Sequence, residues 1–288
     1  MSAASAGRRK SFQKLPCNPW RSVIHLVHRR LTYLGAGAWE TARALAPSGS
    51  RAVPQPQQSA IRNRLLKALT PDDFNRLAPH LKAVPLAMRQ QLITPDQPIS
   101  HACFVEEGLA SMIVDTREGR VEIGLAGYEG FVGVPLVLGT DRTPHIAMVQ
   151  AEGTALRIAA LELEAALDAS RALRGVLGRY VQSMIVQVGQ SVYANADYNV
   201  EARLARWILM TDDRLSQDEL PITHEFMAMM LGVRRPGVTT SMHILEGAGM
   251  IKAKRGRIIV LDREKLKELA GDTYGPAEAE YERLLAEV

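Results

Sequence analysis

Two adjacent arginines stand before a short stretch of small, hydroxylated and apolar residues. Arg234 and Arg235 precede a proline and a glycine in "GVRRPGVTTSMHILEGAGMI", residues 232–251. A guanidinium can donate two parallel hydrogen bonds to the edge of a guanine in the major groove. A solvated basic pair is the other interpretation, and the elements around the pair decide between the two.

The stretch around the arginines has the pattern of two short helices joined by a tight turn. Thr223 can cap the first helix, Gly232 can adopt a left-handed turn, and Pro236 can begin the second helix. Apolar residues at helical spacing predict the sides that pack together. They are Met227, Met230, Leu231, Val238, Met242 and Leu245, with the small Ala228 at the crossing and Val233 in the core.

Basic residues follow this predicted helix-turn-helix. "MIKAKRGRIIVLD" predicts two strands with a turn at Arg255-Gly256, which makes a winged helix-turn-helix. Residues 222–267 hold nine Lys or Arg and four acids, and such a charge attracts nucleic acid. The second helix turns Arg235, Thr239 and Thr240 outward. The predicted DNA-binding residues are Arg234, Arg235, Thr239, Thr240, Thr223, Lys254 and Arg255.

Upstream, residues 84–158 have the pattern of strands. Short apolar runs are broken by turn signals such as "EEG", "REGR" and "GYEG", and "VEIGL" alternates with a period near two. This predicts an antiparallel sandwich or barrel with hairpins. A helix capped by Thr70 and started by Pro71 is expected before it, and "ALELEAALDAS" predicts a helix after it.

A long helix is predicted next, over residues 171–196, followed by one capped by Asn199. Its apolar residues recur at spacings of three and four, which suits pairing with the same helix of a second copy. Packing against the chain's own strands is the alternative. The residues predicted to form the dimer seam are Leu173, Leu177, Tyr180, Met184 and Val188.

Composition narrows the class of protein. The chain has 288 residues, 47% of them hydrophobic, which is enough for two packed domains. Two cysteines indicate a reducing compartment, and no apolar run is long enough for a bilayer, so we expect a cytoplasmic protein. We find no catalytic triad, phosphate loop or paired carboxylates, and His101 and Cys103 have no further ligand nearby. We therefore predict no enzyme activity, no cofactor and no metal.

The order of strand domain, long helix and winged helix resembles the Crp/Fnr family of transcription regulators, over about residues 60–271. The resemblance is carried by "EARLARWILM", "LPITHEFMAMMLGVRRPGVTT", "LEGAGMI" and "RGRIIVLDREKL". It implies a homodimer that binds double-stranded DNA, with RNA polymerase as a further partner. Arg235 matches the family's base-reading arginine and Thr240 a second reading position. Pro236 replaces a base-reading glutamate of many members, so a different half-site is expected.

The resemblance implies an α+β fold, and together with the charge pattern it predicts five parts. Residues 1–58 have few acids and many arginines and are expected to be a basic, disordered tail, for which a transit peptide and a non-native upstream extension are both open. The others are 59–170, a cyclic-nucleotide-binding-like sensor β-roll; 171–197, the dimerisation helix; 198–271, the winged helix-turn-helix; and 272–288, an acidic C-terminal tail.

The sensor half departs from cyclic-nucleotide binders at the positions that hold the ligand. Val134 and Pro135 stand in place of the ribose-holding acid, and His145 and Ile146 in place of the phosphate-holding Arg-Ser/Thr pair. We therefore predict that cyclic nucleotides do not bind and that the effector is another molecule, not identified by the sequence.

The candidate effector pocket is Gly130, Gly133, Arg142, Thr143 and His145, where a shifted register would bring in Arg142-Thr143 as the phosphate site. One alternative is a cyclic-nucleotide-responsive regulator of the same fold. The other is a protein-interaction module whose winged domain does not bind DNA.

Overall fold

The computed structural model describes residues 55–117, 119–215 and 217–286. The predicted basic tail therefore lies outside the described residues as far as residue 54. Gln58, which we assigned to that tail, is already part of the fold. Its Nε2 atom donates to the carbonyl oxygens of Leu66 at 3.0 Å and Leu69 at 2.8 Å.

Two short helices lead into the sheet. Helix α1 spans Arg64–Ala68 and is capped by Asn63, and α2 spans Pro71–Leu77. The Thr70 side chain accepts a hydrogen bond from Asp73 N, and Pro71 occupies the first turn of α2. The predicted start of this helix is thereby confirmed.

The next residues form one antiparallel sheet. The strands are β1 Lys82–Leu86, β2 Gln91–Ile93, β3 His101–Thr116, β4 Gly119–Ala126, β5 Phe131–Val132 and β6 Ile146–Ala159. The sheet order is β1-β6-β3-β4, with β2 added to β6 and β5 to β3, and this path does not close on itself. The predicted strands are present, but they form an open β-roll sheet and not a closed barrel.

Strands β3 and β6 carry the sheet and are interrupted by bulges. The register between them shifts at three places from Val105 to Ala110. Gly108 lies there with φ of 88°, and a Cβ atom at this position would lie 2.5 Å from the carbonyl oxygen of Ala151. Only glycine fits this left-handed, closely approached position, so it fixes where the two long strands bend.

Helix α5, Arg171–Asp197, packs one side of its length against the sheet, after α3 (Val134–Val137) and α4 (Ala160–Ala169). The side chains of Leu173 and Leu177 are fully buried, and Tyr180 and Met184 are 3% and 5% exposed. Our assignment of these four residues to a dimer seam is wrong, because the β-roll needs them for its own core. The fifth, Val188, is half-buried and borders a cavity described below.

The opposite side of α5 carries a different row of residues, which we call the α5 stripe. Its members are Gly178, Gln182, Ile185, Gly189 and Val192, at alternating spacings of four and three. Ile185 is 61% exposed and Val192 is 63% exposed. The helix therefore has an apolar face that is buried and a second, partly apolar face that is open.

The C-terminal residues build a second hydrophobic core around the winged helix-turn-helix. Asn199 and Thr223 cap α6 and α7 through their side chains, as predicted. The order of helices and strands also matches the prediction. The elements are α6 Val200–Arg214, α7 His224–Leu231, α8 Arg235–Gly247, β7 Ile251–Lys254, β8 Arg257–Val260 and α9 Arg263–Ala270.

Residues that we predicted to be an acidic C-terminal tail form an ordered helix, α10 (Pro276–Ala286), so that prediction is wrong. Ala277, Tyr281 and Leu284 are buried at spacings of four and three, on the side that packs against α5. The Tyr281 hydroxyl donates to the carbonyl oxygen of Glu129 at 2.6 Å. The many acids between these residues concealed the amphipathic pattern.

None of the helices in the described part of the chain is long and apolar enough to cross a membrane.

The burial of the α5 face predicts a stability effect and not an assembly effect. Leu177→Ala should lower the free energy of unfolding by about 2 to 5 kcal/mol, because it leaves a cavity in the β-roll core. Urea denaturation measures this change. Arg174→Ala on the same helix is the control, since its ion pair with Asp168 is exposed and is worth up to about 1 kcal/mol. Equal effects from the two variants would contradict the packing of α5.

Candidate nucleic-acid interface

The turn between α7 and α8 depends on Gly232. This residue has φ of 62° and ψ of 36°, and its N–H donates to carbonyl oxygens of the last turn of α7. Left-handed backbone is costly for residues with a Cβ atom, so the glycine sets where α7 ends. Behind the turn, Met227, Val238 and Leu245 are fully buried and join the two helices.

The two arginines lie at the start of α8. Arg235 is its first residue and Arg234 its N-cap, so α8 begins one residue before the predicted Pro236. Both arginines are exposed, and in the described part of the chain neither has a salt bridge. Because neither guanidinium is paired with a carboxylate of the described residues, the N–H groups of both arginines are available to donate hydrogen bonds to a ligand.

The outward face of α8 continues past the residues that we predicted. Thr240 is exposed, and so are His243 and Ile244, which is 51% exposed. His243 and Ile244 follow Thr239 and Thr240 at a spacing of four, and this spacing could have identified them. The face thus combines cationic, hydroxyl and apolar groups, which is the mixture that reads base edges and thymine methyl groups.

Thr239 is half-buried and its hydroxyl is already engaged. It donates to the Arg235 carbonyl oxygen at 3.1 Å and lies 3.1 Å from His224 Nδ1. Burial lowers the pKa of His224, and the positive charges of Arg235 and His243 lower it further. The contact between His224 and Thr239 joins the start of α7 to α8, so Thr239 positions the helix more than it faces outward.

The wing is the hairpin of β7 and β8, with Gly256 at its tip at φ of 73°. Arg255 at the tip is exposed. Lys254 is not free, because its Nζ lies 2.5 Å from a carboxylate oxygen of Glu219, whose other oxygen lies 2.9 Å from Arg257. Of the two wing residues that we predicted to bind DNA, Arg255 is exposed at the tip, whereas Lys254 and Arg257 are both paired with Glu219.

A cavity of about 350 Å³, which we call the apolar cavity, lies between the open sheet and α5. Gly133, Thr143 and His145 of the candidate effector residues line it. Arg142 does not: it is exposed and its guanidinium is 3.6 Å from Asp141. Gly130 lies elsewhere, against the hydroxyl end of Tyr180.

Part of the C-terminal region matches a known domain family. The Crp-like helix-turn-helix domain matches residues 202–269, which run from α6 through the wing to α9. No curated protein sequence matches the chain.

Solved structures share the fold at low sequence identity. FixK2 from Bradyrhizobium japonicum is 14% identical with a TM-score of 0.59, over 66% of this chain and 98% of that one. A Crp/Fnr transcriptional regulator from Thermus thermophilus is 22% identical with a TM-score of 0.55, over 66% and 98%. The global regulator CLP from Xanthomonas campestris, responsive to cyclic di-GMP, is 17% identical with a TM-score of 0.55, over 66% and 99%.

This chain has the fold of the Crp/Fnr regulators. Residues 202–269 form its Crp-like helix-turn-helix domain.

The Crp-like domain is joined to the β-roll by a buried carboxylate. Glu122 on β4 accepts hydrogen bonds from Ser111 and Gln150, both at 2.5 Å, and from Trp207 Nε1 at 2.9 Å. Ser111 and Gln150 belong to β-roll strands, whereas Trp207 belongs to α6. Burial raises the pKa of the Glu122 carboxyl to about 7, although the hydrogen bonds from Ser111 and Trp207 oppose this change. Gln150 Nε2 also lies 3.0 Å from Met230 Sδ on α7.

A buried ion pair forms a second link. Arg214 Nε of α6 lies 2.6 Å from Glu129 of the β4–β5 loop, and both side chains are about nine-tenths buried. Burial lowers the pKa of the guanidinium, but the neighbouring carboxylate outweighs burial and the pKa lies above its ordinary value. Breaking a pair of this kind typically costs about 3 to 5 kcal/mol, because one charge stays buried and uncompensated.

The pKa of Glu122 predicts a pH dependence of stability. The unfolded chain releases this proton near pH 4.5 and the folded chain near pH 7, so stability falls as the pH rises through that window, by at most about 1.4 kcal/mol per unit. The glutamine side chain of the Glu122→Gln variant cannot ionise, so this decrease in the free energy of unfolding should be absent from the variant. Urea midpoints of both proteins from pH 4.5 to 7.5 check it, since other titrating groups cancel in the difference. Parallel curves would contradict the raised pKa.

Proposed function

We propose that this protein is a sequence-specific, DNA-binding transcription regulator of the Crp/Fnr type that acts as a homodimer in the cytoplasm. The observation that carries the proposal is the start of α8 in the Crp-like domain. Two exposed arginines stand there without an ion-pair partner in the described part of the chain, beside a wing with an exposed arginine at its tip. RNA polymerase is a further expected partner, on the strength of the resemblance alone.

Each arginine has its own proposed role. Arg235 would take the edge of a guanine, and Arg234 at the N-cap would take a phosphate beside it. Thr240, His243 and Ile244 extend the reading face, whereas Thr223 at the N-cap of α7 is exposed and can meet the backbone. Pro236 contributes shape but no donor, and this favours a half-site different from that of members with a glutamate there.

The α5 stripe supports the homodimer. Two such stripes have the spacing of a coiled-coil seam, and their glycines allow the helix backbones to approach closely. A two-fold dimer places its recognition helices in major grooves about 34 Å apart, one turn of DNA. The seam that we now propose is therefore Gly178, Gln182, Ile185, Gly189 and Val192.

We propose further that cyclic nucleotides are not the effectors. A cyclic phosphate carries a full negative charge, and a buried charge needs a cation or several donors. The apolar cavity has no lysine or arginine among its described lining residues. Val134 and Pro135, at the position expected for a ribose-holding acid, lie in α3 and line the cavity without a carboxylate.

Arg235→Ala should weaken binding to a specific duplex by about 1 to 3 kcal/mol and leave binding to random duplex nearly unchanged, because one bidentate base contact is lost. Fluorescence anisotropy across a salt series measures both. Arg255→Ala is the matched control. It should weaken both duplexes alike and reduce the salt slope by about one unit, since it removes a phosphate contact. If the wild type binds no duplex at low salt, the winged domain serves protein contacts instead.

Ile185→Lys combined with Val192→Lys should give a folded monomer with strongly reduced DNA binding. Two charges per chain in the seam are disfavoured by desolvation and by repulsion between copies. Both side chains are more than half exposed, so the fold of the single chain should be unaffected. Sedimentation velocity gives the assembly and circular dichroism the fold. Leu161→Lys, at a 78% exposed position on α4, is the control. A double variant that still sediments as a dimer would place the seam elsewhere.

A further inference from the structure

We propose that the apolar cavity binds an uncharged, mainly apolar small molecule with one polar end group. This inference rests on the proposed function of the β-roll as the sensor half of a regulator. It goes further because it gives the chemical class of the effector.

The lining of the cavity sets this class. Its walls come from β-roll strands, from the segment around α3 and from α5, and nearly all of the lining side chains are aliphatic or aromatic. Ala110, Phe131 and Ala147 are each 1% exposed, so the inner wall is made of buried apolar side chains. A ligand there gains by removing apolar surface from water, whereas a charged ligand would lose its hydration without a counter-charge.

The polar groups of the cavity are few and two of them lie together. Thr143 Oγ1 is 3.4 Å from His145 Nδ1 and accepts a hydrogen bond from His145 N at 3.3 Å. Both residues are half-buried beside the apolar walls. They can donate to or accept from a hydroxyl, carbonyl or amide, which would orient the ligand with its apolar body inward.

The volume sets the size of the ligand. An apolar cavity of about 150 Å³ takes one benzene ring. A cavity of about 350 Å³ therefore has room for a molecule of roughly two to three rings, two of them fused, or for an aliphatic chain of similar bulk.

A small molecule fits the cavity better than a second copy of the chain does. The α5 stripe that a second copy would present holds two glycines, a glutamine, an isoleucine and a valine. Such short side chains reach the exposed edge at Ile185 and Leu138, but they cannot fill the inner wall. A second copy would cover the opening and leave the space inside to a ligand.

The cavity is connected to the Crp-like domain. Ser111 lines the cavity, and its hydroxyl donates to Glu122, which also accepts from Trp207 of α6. A ligand that displaces Ser111 or α5 thus acts on groups that contact the DNA-binding half directly.

The test uses the full chain and N-phenyl-1-naphthylamine, an uncharged molecule of a naphthalene and a benzene ring whose fluorescence rises in apolar surroundings. We expect saturable binding of one molecule per chain, with Kd on the order of 10 μM. Val188→Trp places a bulky ring at the half-buried edge of the cavity and should weaken binding at least tenfold. Leu161→Trp adds the same ring at an exposed site on α4 and should leave binding unchanged. Circular dichroism confirms that each variant is folded.

Other results overturn the proposal. Absence of saturable binding, or equal binding by a folded Val188→Trp protein, would show that the cavity is not the site. Displacement of the naphthylamine by cyclic AMP or cyclic GMP below 100 μM would show a nucleotide pocket. Thr143→Val with His145→Leu should leave the naphthylamine bound, because this molecule needs few polar contacts, and loss of binding would contradict an apolar site. These measurements do not involve DNA, so a failure of the proposed DNA binding is detected separately.

Discussion

The rest of the structure depends on the burial of one face of α5. The open sheet cannot complete its core from its own strands, and Leu173, Leu177, Tyr180 and Met184 supply the missing apolar volume. Because that face is occupied, the α5 stripe is left as an exposed face of the helix. The helix also forms one wall of the apolar cavity. A single rigid element therefore shapes the sensor core, the cavity and the free surface, and a shift of α5 would alter all three.

Buried polar contacts join the β-roll to the Crp-like domain. Glu129 with Arg214, and Glu122 with Trp207, each join a β-roll residue to α6. Both lie in surroundings where an unpaired charge or donor is expensive. Val121, beside Glu122, also packs against Gly232, where a Cβ atom would lie 2.9 Å from its Cγ2 atom. The turn of the helix-turn-helix therefore packs against the β-roll, so a displacement of the β-roll at Val121 would also displace the turn.

Local signals were enough to predict the C-terminal half, because caps, a left-handed glycine and apolar spacing act within a few residues. Thr223 and Gly232 are examples, and the wing followed from its turn. The sequence could not tell which face of α5 is buried, since both faces carry apolar residues and the deciding contact is with a distant sheet. Tyr281 was missed because acids surround it, and the partners of Glu122 come from separate elements. Pairings over long sequence distances leave no local pattern.

Glu219 neutralises part of the positive charge of the wing. Its two oxygens pair with Lys254 and Arg257, the last residue of β7 and the first of β8. An anion that approached these two cations would have to displace a carboxylate already in place, although exposed ion pairs of this kind are only weakly stabilising. Arg255 at the tip is not paired with Glu219, so the open positive charge of the hairpin is shifted toward its tip.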